Sequence, residues 1–222
     1  MISRYESDRT FKEKKELEKQ KLSQMKFREK LEYIWTYYKP LIFGVIGVIA
    51  AVFIILDLVE NAKYYDILSI AVSNASMIDS VTPVEEQLKE ELGTGDEYET
   101  VSIDASYSFG YDMENIDYNT LMKFNAVVAA KSLDVLICGE EIHDNFESQE
   151  FFMTLGEVLG EETCEKYGID PADTKLEITN LPRYQEMELT YYEPVYLTVL
   201  INTENVEHVK DFILYLEEDN EK

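Results

Sequence analysis

The feature that most constrains this chain is an apolar stretch near its N-terminus, Leu41–Leu56, which holds 16 residues and no charged side chain. Two more apolar residues, at 58 and 59, extend it past Asp57. As an α-helix, the extended stretch reaches about 28 Å, which is close to the thickness of a bilayer's hydrocarbon core. A helix also satisfies its own backbone hydrogen bonds in lipid. We therefore predict a single transmembrane helix over residues 40–59.

The flanks of the stretch favour a membrane-crossing helix over a buried core helix, which is the other interpretation. Pro40 is expected at the first helical position, where a missing N–H costs nothing. Gly47 and Ala51 form a small-xxx-small pair that can favour helix pairing. Aromatic side chains, which prefer the membrane interface, lie on both sides of the stretch: Tyr33, Trp35, Tyr37, Tyr38, Tyr64 and Tyr65.

The charge distribution predicts the orientation. Residues 1–40 hold 11 basic and 7 acidic side chains, a net charge of +4, and the remainder holds 9 basic and 38 acidic, a net charge of −29. By the positive-inside rule, residues 1–39 lie in the cytoplasm and residues 60–222 form an acidic extracellular domain. The chain is thus expected in the cell membrane as a single-pass protein. Nucleic acid is not an expected partner, because it requires a basic footprint.

The basic segment contains a predicted helix over residues 12–32 with mixed charges. One interpretation is a juxtamembrane helix whose Lys and Arg fix the topology. The other is a helix that binds a partner protein or lipid headgroups.

The outer domain begins with strands that alternate with helices. We predict strands at Ile67–Val72, Thr100–Ser106 and Leu133–Cys138, separated by helices at Thr82–Leu92 and over residues 117–131. This alternation indicates βαβαβ units and a mainly parallel sheet. The fold class is therefore α/β, and about 160 residues are enough for one domain.

Further segments complete the predicted domain. Thr82 is expected to cap the first of its helices, with Glu85 at the capping-box position. Glu140–Asn145 is predicted to be a polar connection, followed by short helical pieces that end at Gly168. Thr203 is expected to cap a final helix. Extra, antiparallel strands are expected over residues 175–179, 184–192 and 195–201.

Several short motifs carry a family resemblance. They are Tyr38-Lys39-Pro40 before the apolar helix, Lys123–Ala126 and Ala129–Ala130 before Leu133–Ile137, the aromatic–Leu segment Phe151–Leu155, and the closing Tyr196–Leu216. They resemble membrane-anchored proteins of Gram-positive gut anaerobes, whose outer domains are similar to the extracellular solute-binding proteins of ABC importers (the periplasmic-binding-protein type II kind). The resemblance implies a reduced solute-binding-protein fold, in which the second lobe is reduced or absent, and which binds a small-molecule ligand.

Ligands of α/β folds bind at the carboxyl ends of parallel strands. Those ends carry the candidate ligand-binding residues Asn74, Ser76, Asp104, Tyr107 and Glu140. Asn74 and Ser76 can hydrogen-bond a ligand. Tyr107 can stack on it, and Asp104 or Glu140 can pair with a cation. The other interpretation is that Asn74 and Asp104 only organise turns.

Reactive side chains are few. His143 is expected to be a solvated loop histidine, and His208 to be exposed on the final helix. Cys138 and Cys164 can pair as a disulfide outside the cell or remain small buried thiols. The sequence contains no EF-hand loop, zinc-ligand spacing, P-loop or nucleophile elbow. We therefore expect a non-catalytic protein without a cofactor or a metal.

Two functions fit these expectations. The first is a membrane-tethered, solute-binding-like domain with a concave site at the strand ends. The second is an interaction or scaffold module that assembles with another membrane or cell-envelope protein. That function predicts a large exposed apolar patch or pairing through Gly47 and Ala51.

Overall fold

The computed structural model describes residues 10–76, 80–110, 116 and 118–218, and the chain divides into two compact units. The first unit ends at Ala62 and the second begins at Lys63. Every residue of the two hydrophobic clusters in the described chain belongs to the second unit. The second unit therefore has a core of its own.

The described part of the first unit consists of helix α1, Phe11–Gln24, and helix α2, Phe27–Asn61. The backbone N–H of Lys26 donates to the Glu29 carboxylate (2.9 Å), which begins α2 immediately after α1 ends. The predicted helix over residues 12–32 is therefore interrupted. Pro40 lies inside α2 and not at its start, since the residues before it already form a capped helix that tolerates one missing hydrogen bond.

One part of α2, Tyr38–Asn61, is long and apolar enough to cross a membrane. It contains 24 residues with a mean hydropathy of 2.9, and none of its most apolar window is buried by the rest of the protein. Its large side chains are half to two-thirds exposed, as Phe53 (67%) and Val52 (50%) illustrate. The predicted apolar helix is therefore present, with a length and a composition that suit a membrane span.

A mixed five-stranded sheet forms the centre of the second unit, with the strand order β2-β1-β3-β5-β4. β1 pairs in parallel with β2 and β3, and β5 pairs antiparallel with β3 and β4. The predicted parallel βαβαβ core and the additional antiparallel pairing are both confirmed. The strands are β1 (Tyr65–Ser73), β2 (Glu99–Tyr107), β3 (Val135–Cys138), β4 (Lys175–Glu177) and β5 (Tyr196–Val199).

Seven helices accompany the sheet in the described part of this unit. Three of them, α3, α4 and α9, agree with predicted helices, and α7 ends at Gly168 as expected, with a left-handed φ of 68°. The helices are α3 (Thr82–Leu92), α4 (Tyr118–Ala129), α5 (Glu140–Glu147), α6 (Leu155–Leu159), α7 (Glu161–Tyr167), α8 (Pro182–Met187) and α9 (Val206–Glu217).

Two segments differ from their predictions because their apolar residues have helical spacing. Glu140–Asn145, predicted as a polar connection, is most of α5, whose Ile142 and Phe146 are buried one turn apart. The strand predicted over residues 184–192 is wrong. Its first residues belong to α8, which begins at Pro182 and buries Tyr184 and Met187, three residues apart.

Two predicted caps serve other purposes. Val81, and not Thr82, precedes α3, and the Glu85 carboxylate accepts the Ile103 N–H of β2 (2.8 Å). Asn205 precedes α9, and its N–H donates to the Thr203 hydroxyl (3.0 Å). The Thr203 hydroxyl also donates to Asp134, just before β3, so both Glu85 and Thr203 make a long-range contact that a local motif does not specify.

Asp134 connects β1, β3 and the start of α9. It is 1% exposed and lies just before β3. Its carboxylate accepts hydrogen bonds from the Ser69 N–H (2.8 Å), the Asn205 amide (3.1 Å) and the Thr203 hydroxyl. This group fixes the central strands against the last helix.

The two faces of the sheet carry separate clusters of buried side chains. One cluster packs α3, α6, α8 and α9 against one face, with Leu88 and Phe212 among its members. The other packs α4 and α5 against the opposite face, with Phe124 and Phe146 among its members. The chain therefore leaves β1 toward one face and β3 toward the other.

Candidate functional site

A cavity lies where the chain leaves β1 and β3 in opposite directions. In open α/β sheets this switch point is the usual place of a ligand site. The cavity has a volume of about 300 Å³, and we call it the strand-end cavity. Its lining comes from the residue after β1, the loop after β2, the start of α5 and the loop before β5: Asn74, Gly110, Gly139, Glu140, Glu141, Ile142, Tyr192, Glu193 and Pro194.

A second cavity, of about 480 Å³, adjoins the first, and we call it the tyrosine cavity. It lies between Ser76 and the segment that runs from α8 to β5, and it shares Tyr192 and Glu193 with the strand-end cavity. Its lining is Ser76, Thr179, Tyr184, Gln185, Glu188, Leu189, Thr190, Tyr191, Tyr192, Glu193 and Val195. Its lining thus combines three tyrosine rings with polar side chains.

Tyr192 separates the two cavities. Its hydroxyl donates to the Ser73 carbonyl (3.0 Å) and lies 3.3 Å from the Ser73 hydroxyl. Burial raises the pKa of Tyr192 above its ordinary value, so the phenol stays neutral. A Cβ at Gly139 would lie 3.5 Å from its ring, so the ring rests against the end of β3. Tyr192 is therefore a fixed wall.

Asn74 lines the strand-end cavity, but the chain already uses its amide. Its side chain donates to the Gly110 carbonyl (2.8 Å) and accepts from the Phe109 N–H (3.1 Å). Its φ is 47°, in the left-handed region that Asn tolerates better than most residues. Asn74 thus shapes the cavity by holding the loop after β2, as the turn-organising interpretation expects.

Glu140 also lines the strand-end cavity. It belongs to a group of charges at the edge of the cavity, because Lys175 lies 3.2 Å from its carboxylate and 3.3 Å from that of Asp144. Burial lowers the pKa of Lys175, but the hydrogen bonds and charges of the two carboxylates outweigh burial and raise it above its ordinary value. Glu140 is 54% exposed and remains accessible to a ligand.

Asp104 and Tyr107 line neither cavity. Asp104 forms an ion pair with Lys123 of α4 (2.6 Å), whose ammonium also lies 4.6 Å from the centre of the Tyr107 ring. Tyr107 is 2% exposed and packs edge-on against Phe124. Burial, and then the charge of Asp104, raise the pKa of Tyr107 to about 12. These two residues join β2 to α4.

The five predicted site residues therefore divide into three groups. Asn74 and Glu140 meet at the strand-end cavity, and Ser76 lines the tyrosine cavity. Asp104 and Tyr107 lie elsewhere. The sequence analysis did not identify Tyr191, Tyr192 and Glu193 as site residues. Two tyrosines next to Glu-Pro in a loop could have indicated them, because binding residues often lie on loops.

His143 is buried, at 1% exposure, and not a solvated loop residue as predicted. Its Nδ1 lies 2.8 Å from Asp144, and its Nε2 lies 3.0 Å from the Thr174 hydroxyl, which donates to Glu147 (2.6 Å). Its ring stacks on Phe152 at 5.4 Å. The amphipathic pattern of α5 is the signal that predicts this burial.

Three of these side chains, His143, Asp144 and Glu147, offer ligand atoms within 4.8 Å of one another. Each of them already has a hydrogen-bond partner, and the Lys175 ammonium lies 3.3 Å from Asp144, so it supplies the positive charge that a metal would bring. The group is best described as a polar network that connects α5 with Thr174 and β4.

The cysteines are free thiols in the structure. Cys138 belongs to the cluster on one face of the sheet and Cys164 to the cluster on the other. Burial raises the pKa of both thiols, which keeps them protonated and unreactive. Of the two possibilities left open by the sequence, the structure shows small buried thiols.

The charged side chains that line the two cavities are all acidic, and one of them, Glu140, is paired with Lys175 at the edge of the strand-end cavity. Glu140, Glu141 and Glu193 line the strand-end cavity, and Glu188 joins Glu193 in the tyrosine cavity. Among the described residues that line them, none is Lys, Arg or His. Carboxylates beside tyrosine rings attract a cationic group through charge and through the ring face. The arrangement suits a ligand with an amino or quaternary ammonium group.

Comparison with known proteins gives no relative. No family model matches the chain, and neither a curated protein nor a solved structure matches it significantly.

Proposed function

We propose that this chain is a single-pass membrane protein whose α/β domain lies outside the cell and binds a small cationic or polar ligand in the paired cavities. The domain acts as a tethered, non-catalytic binding module that resembles a reduced solute-binding protein. The observation that carries the proposal is the position of both cavities at the carboxyl edge of the parallel strands, bordered by tyrosines and glutamates.

Two further observations support the membrane part. The apolar span Tyr38–Asn61 exposes side chains that water solvates poorly and lipid solvates well. Basic side chains precede it, and the net charge of −29 follows it, which is the asymmetry of a helix with a cytoplasmic N-terminus. The acidic domain is then on the side where its charge keeps it soluble.

A thermal-shift experiment on residues 63–222 tests the binding part. This fragment is reasonable because both hydrophobic clusters lie within it. The ligands are amines (polyamines, amino acids, choline and betaine), neutral sugars, and dicarboxylates of similar size. A ligand at about a hundredfold above its Kd adds about 2.7 kcal/mol, which corresponds to roughly 5–10 °C for a domain of this size. We expect such a shift from one of the amines and none from dicarboxylates.

Variants then locate the site. Tyr191, which is 62% exposed, lines the tyrosine cavity, and Glu193 lines both cavities. We expect Tyr191→Ala and Glu193→Gln to abolish the shift while the unliganded midpoint changes little. Tyr118→Ala is the matched control, because Tyr118 is 71% exposed on α4 and lines neither cavity. A folded domain that responds to no amine, or a shift that survives both variants, contradicts the proposed site.

The second candidate function is the interaction module. One observation favours it, namely the exposed apolar side chains that continue along α2 before the membrane span, at Phe27, Leu31 and Ile34. The two functions are compatible, since a tethered binding domain can also assemble through its helix.

A further inference from the structure

Apolar side chains of α2 follow a heptad repeat from one end of the helix to the other. Steps of four and three residues, taken in turn from Phe27, define two series of heptad positions, d and a. The d positions hold Phe27, Ile34, Leu41, Val48 and Ile55. The a positions hold Leu31, Tyr38, Val45, Val52 and Val59. We call these ten side chains the heptad seam.

Residues that would interrupt such a seam all fall at other heptad positions. These residues are Arg28, Glu29, Lys30, Glu32, Lys39, Pro40, Gly44, Gly47, Asp57 and Glu60. Inside the apolar span almost every choice of heptad register would contain only apolar residues. The charged ends of the helix are therefore the parts that distinguish one register from another. The register is free of charge at both ends of a helix that is about 50 Å long. One face of α2 therefore carries no charged residue from its first residue to the end of the span, and within this face the Tyr38 hydroxyl hydrogen-bonds to Glu18 of α1.

The N-terminal part of the heptad seam extends beyond the region where lipid can contact its apolar side chains. Phe27 is 79% exposed, Leu31 is 55% and Ile34 is 40%. Phe27 precedes Tyr38 by about 16 Å along the helix. The headgroup region extends only about 5–8 Å beyond each side of the hydrocarbon core. If Tyr38 marks the edge of the core, Phe27 and Leu31 lie outside the bilayer, where exposed apolar side chains require a protein partner.

We propose that the heptad seam pairs with the same seam of a second copy of this chain, as a parallel coiled coil that begins in the cytoplasm and continues through the membrane. This inference rests on the proposed membrane topology. A second copy inserts in the same orientation and presents the same side chains at the same height. On a straight helix a strict heptad pattern drifts by about 20° per heptad, so the seam stays in contact only if two helices wind around each other.

The a positions of the heptad seam resemble those of two-stranded coiled coils. β-branched Val occupies three of them, at 45, 52 and 59, and Leu41 supplies the Leu that dimers prefer at d, whereas Ile34 and Ile55 at d are more typical of three or four strands. The flanking positions outside the membrane are compatible with a parallel pair, because Lys30 at g faces Trp35 at e of the second copy, whose indole ring already has the Lys39 ammonium of its own chain 5.5 Å from its centre. Trp35 is 56% exposed. Ten seam side chains present an area on the order of the 800 Å² per partner of a standard interface.

Cysteine cross-linking of the full chain in native membranes tests the pairing. Single cysteines replace Phe27, Leu31 and Ile34 on the seam, or Glu29 and Thr36 on the opposite side of the helix. The wild-type chain is a further control, because Cys138 and Cys164 are buried. Under mild oxidation we expect disulfide-linked dimers at the three seam positions, several-fold more than at positions 29 and 36. A flat profile, or a maximum at position 29 or 36, overturns the proposal.

A charged substitution on the heptad seam provides a second test of the pairing. Leu31→Glu places two carboxylates opposite each other in the dimer, where like charges repel. With Ile34→Cys as the reporter, we expect this change to reduce cross-linking on the order of tenfold, which equals about 1.4 kcal/mol. Glu32→Ala, off the seam, leaves cross-linking unchanged. Equal cross-linking in the Leu31→Glu chain is incompatible with pairing through this face.

Alkaline carbonate extraction of the same membranes separates this proposal from the one on which it rests. A chain that stays in the membrane pellet and shows a flat cross-linking profile refutes the pairing and leaves the membrane topology intact. A chain that carbonate releases refutes the membrane topology, and with it a paired helix within the bilayer.

Discussion

The two units of this chain use similar apolar side chains in opposite ways. Phe53 in α2 is 67% exposed, whereas Phe124 in α4 is fully buried in an aromatic cluster. In α4 the buried apolar residues recur at helical spacing, so one side of the helix faces the core and the other carries polar residues. In the span of α2 all sides are apolar, so no side is selected. The difference shows that the pattern of apolar residues decides which solvent a segment requires.

Truncating one phenylalanine in each unit tests this comparison and has the largest expected effect. Phe124→Ala removes a ring whose centre lies 4.7 Å from that of Phe146 and 5.5 Å from that of Phe109. We expect it to destabilise the domain by about 3–5 kcal/mol and to lower its thermal midpoint by roughly 10 °C. Phe53→Ala should leave the midpoint of the domain unchanged. Calorimetry of the full chain in detergent micelles measures both.

The opposite result is equally informative. If Phe53→Ala lowers the midpoint of the domain as much as Phe124→Ala does, α2 packs as part of a common core, and the contrast between the two units is wrong. A small effect of Phe124→Ala alone would indicate that the aromatic cluster collapses around the missing ring.

Sequence patterns predicted the elements whose apolar residues have a clear period. β1, β2 and β3 are runs of apolar and β-branched residues that end in polar or small ones, and α9 carries an apolar stripe. α8 was missed because Tyr184 and Met187 were assigned to a strand, and only the tertiary contacts of Leu181, Tyr184 and Met187 decide between the two. Pattern alone leaves such short segments ambiguous.

The position of the cavities was more predictable from the sequence than the residues that line them. The rule that ligands bind at strand ends placed Asn74 and Glu140 at the same cavity, as the structure shows. The tyrosine cavity was not foreseen, because Ser76 and Tyr191 are more than a hundred residues apart and meet only through the fold. His143 was misjudged for a different reason, since its segment was predicted as a polar connection, whereas in the helix α5 it lies on the same side as the buried Ile142 and Phe146.

Removing one carboxylate from each unit sharpens the comparison with a smaller expected effect. Asp134→Ala leaves three partly buried donors, on Ser69, Thr203 and Asn205, without their acceptor. We expect a loss of about 2–4 kcal/mol, because donors that lose their acceptor away from water retain much of their desolvation cost. Asp57→Ala, at the exposed end of α2, should not change the urea midpoint of the domain. A tolerated Asp134→Ala would mean that water replaces the carboxylate and that the start of α9 is less tightly held.

The smallest effect concerns a surface charge of the domain and depends on pH. The hydrogen bond from His143, and then Lys175, lowers the pKa of Asp144 in the folded state, although partial burial opposes this. A lowered folded-state pKa means that this stabilisation is complete above the ordinary value of about 3.9 and is lost as the pH falls through the lower folded value. Asp144→Asn should therefore cost up to about 1 kcal/mol at neutral pH, since the side chain is 58% exposed. Urea midpoints of the two proteins should converge below about pH 4.

Asp211→Asn, which changes an exposed aspartate of α9, is the matched control for this prediction. A difference that stays constant down to pH 2 would show that Asp144 acts through packing and not through its charge.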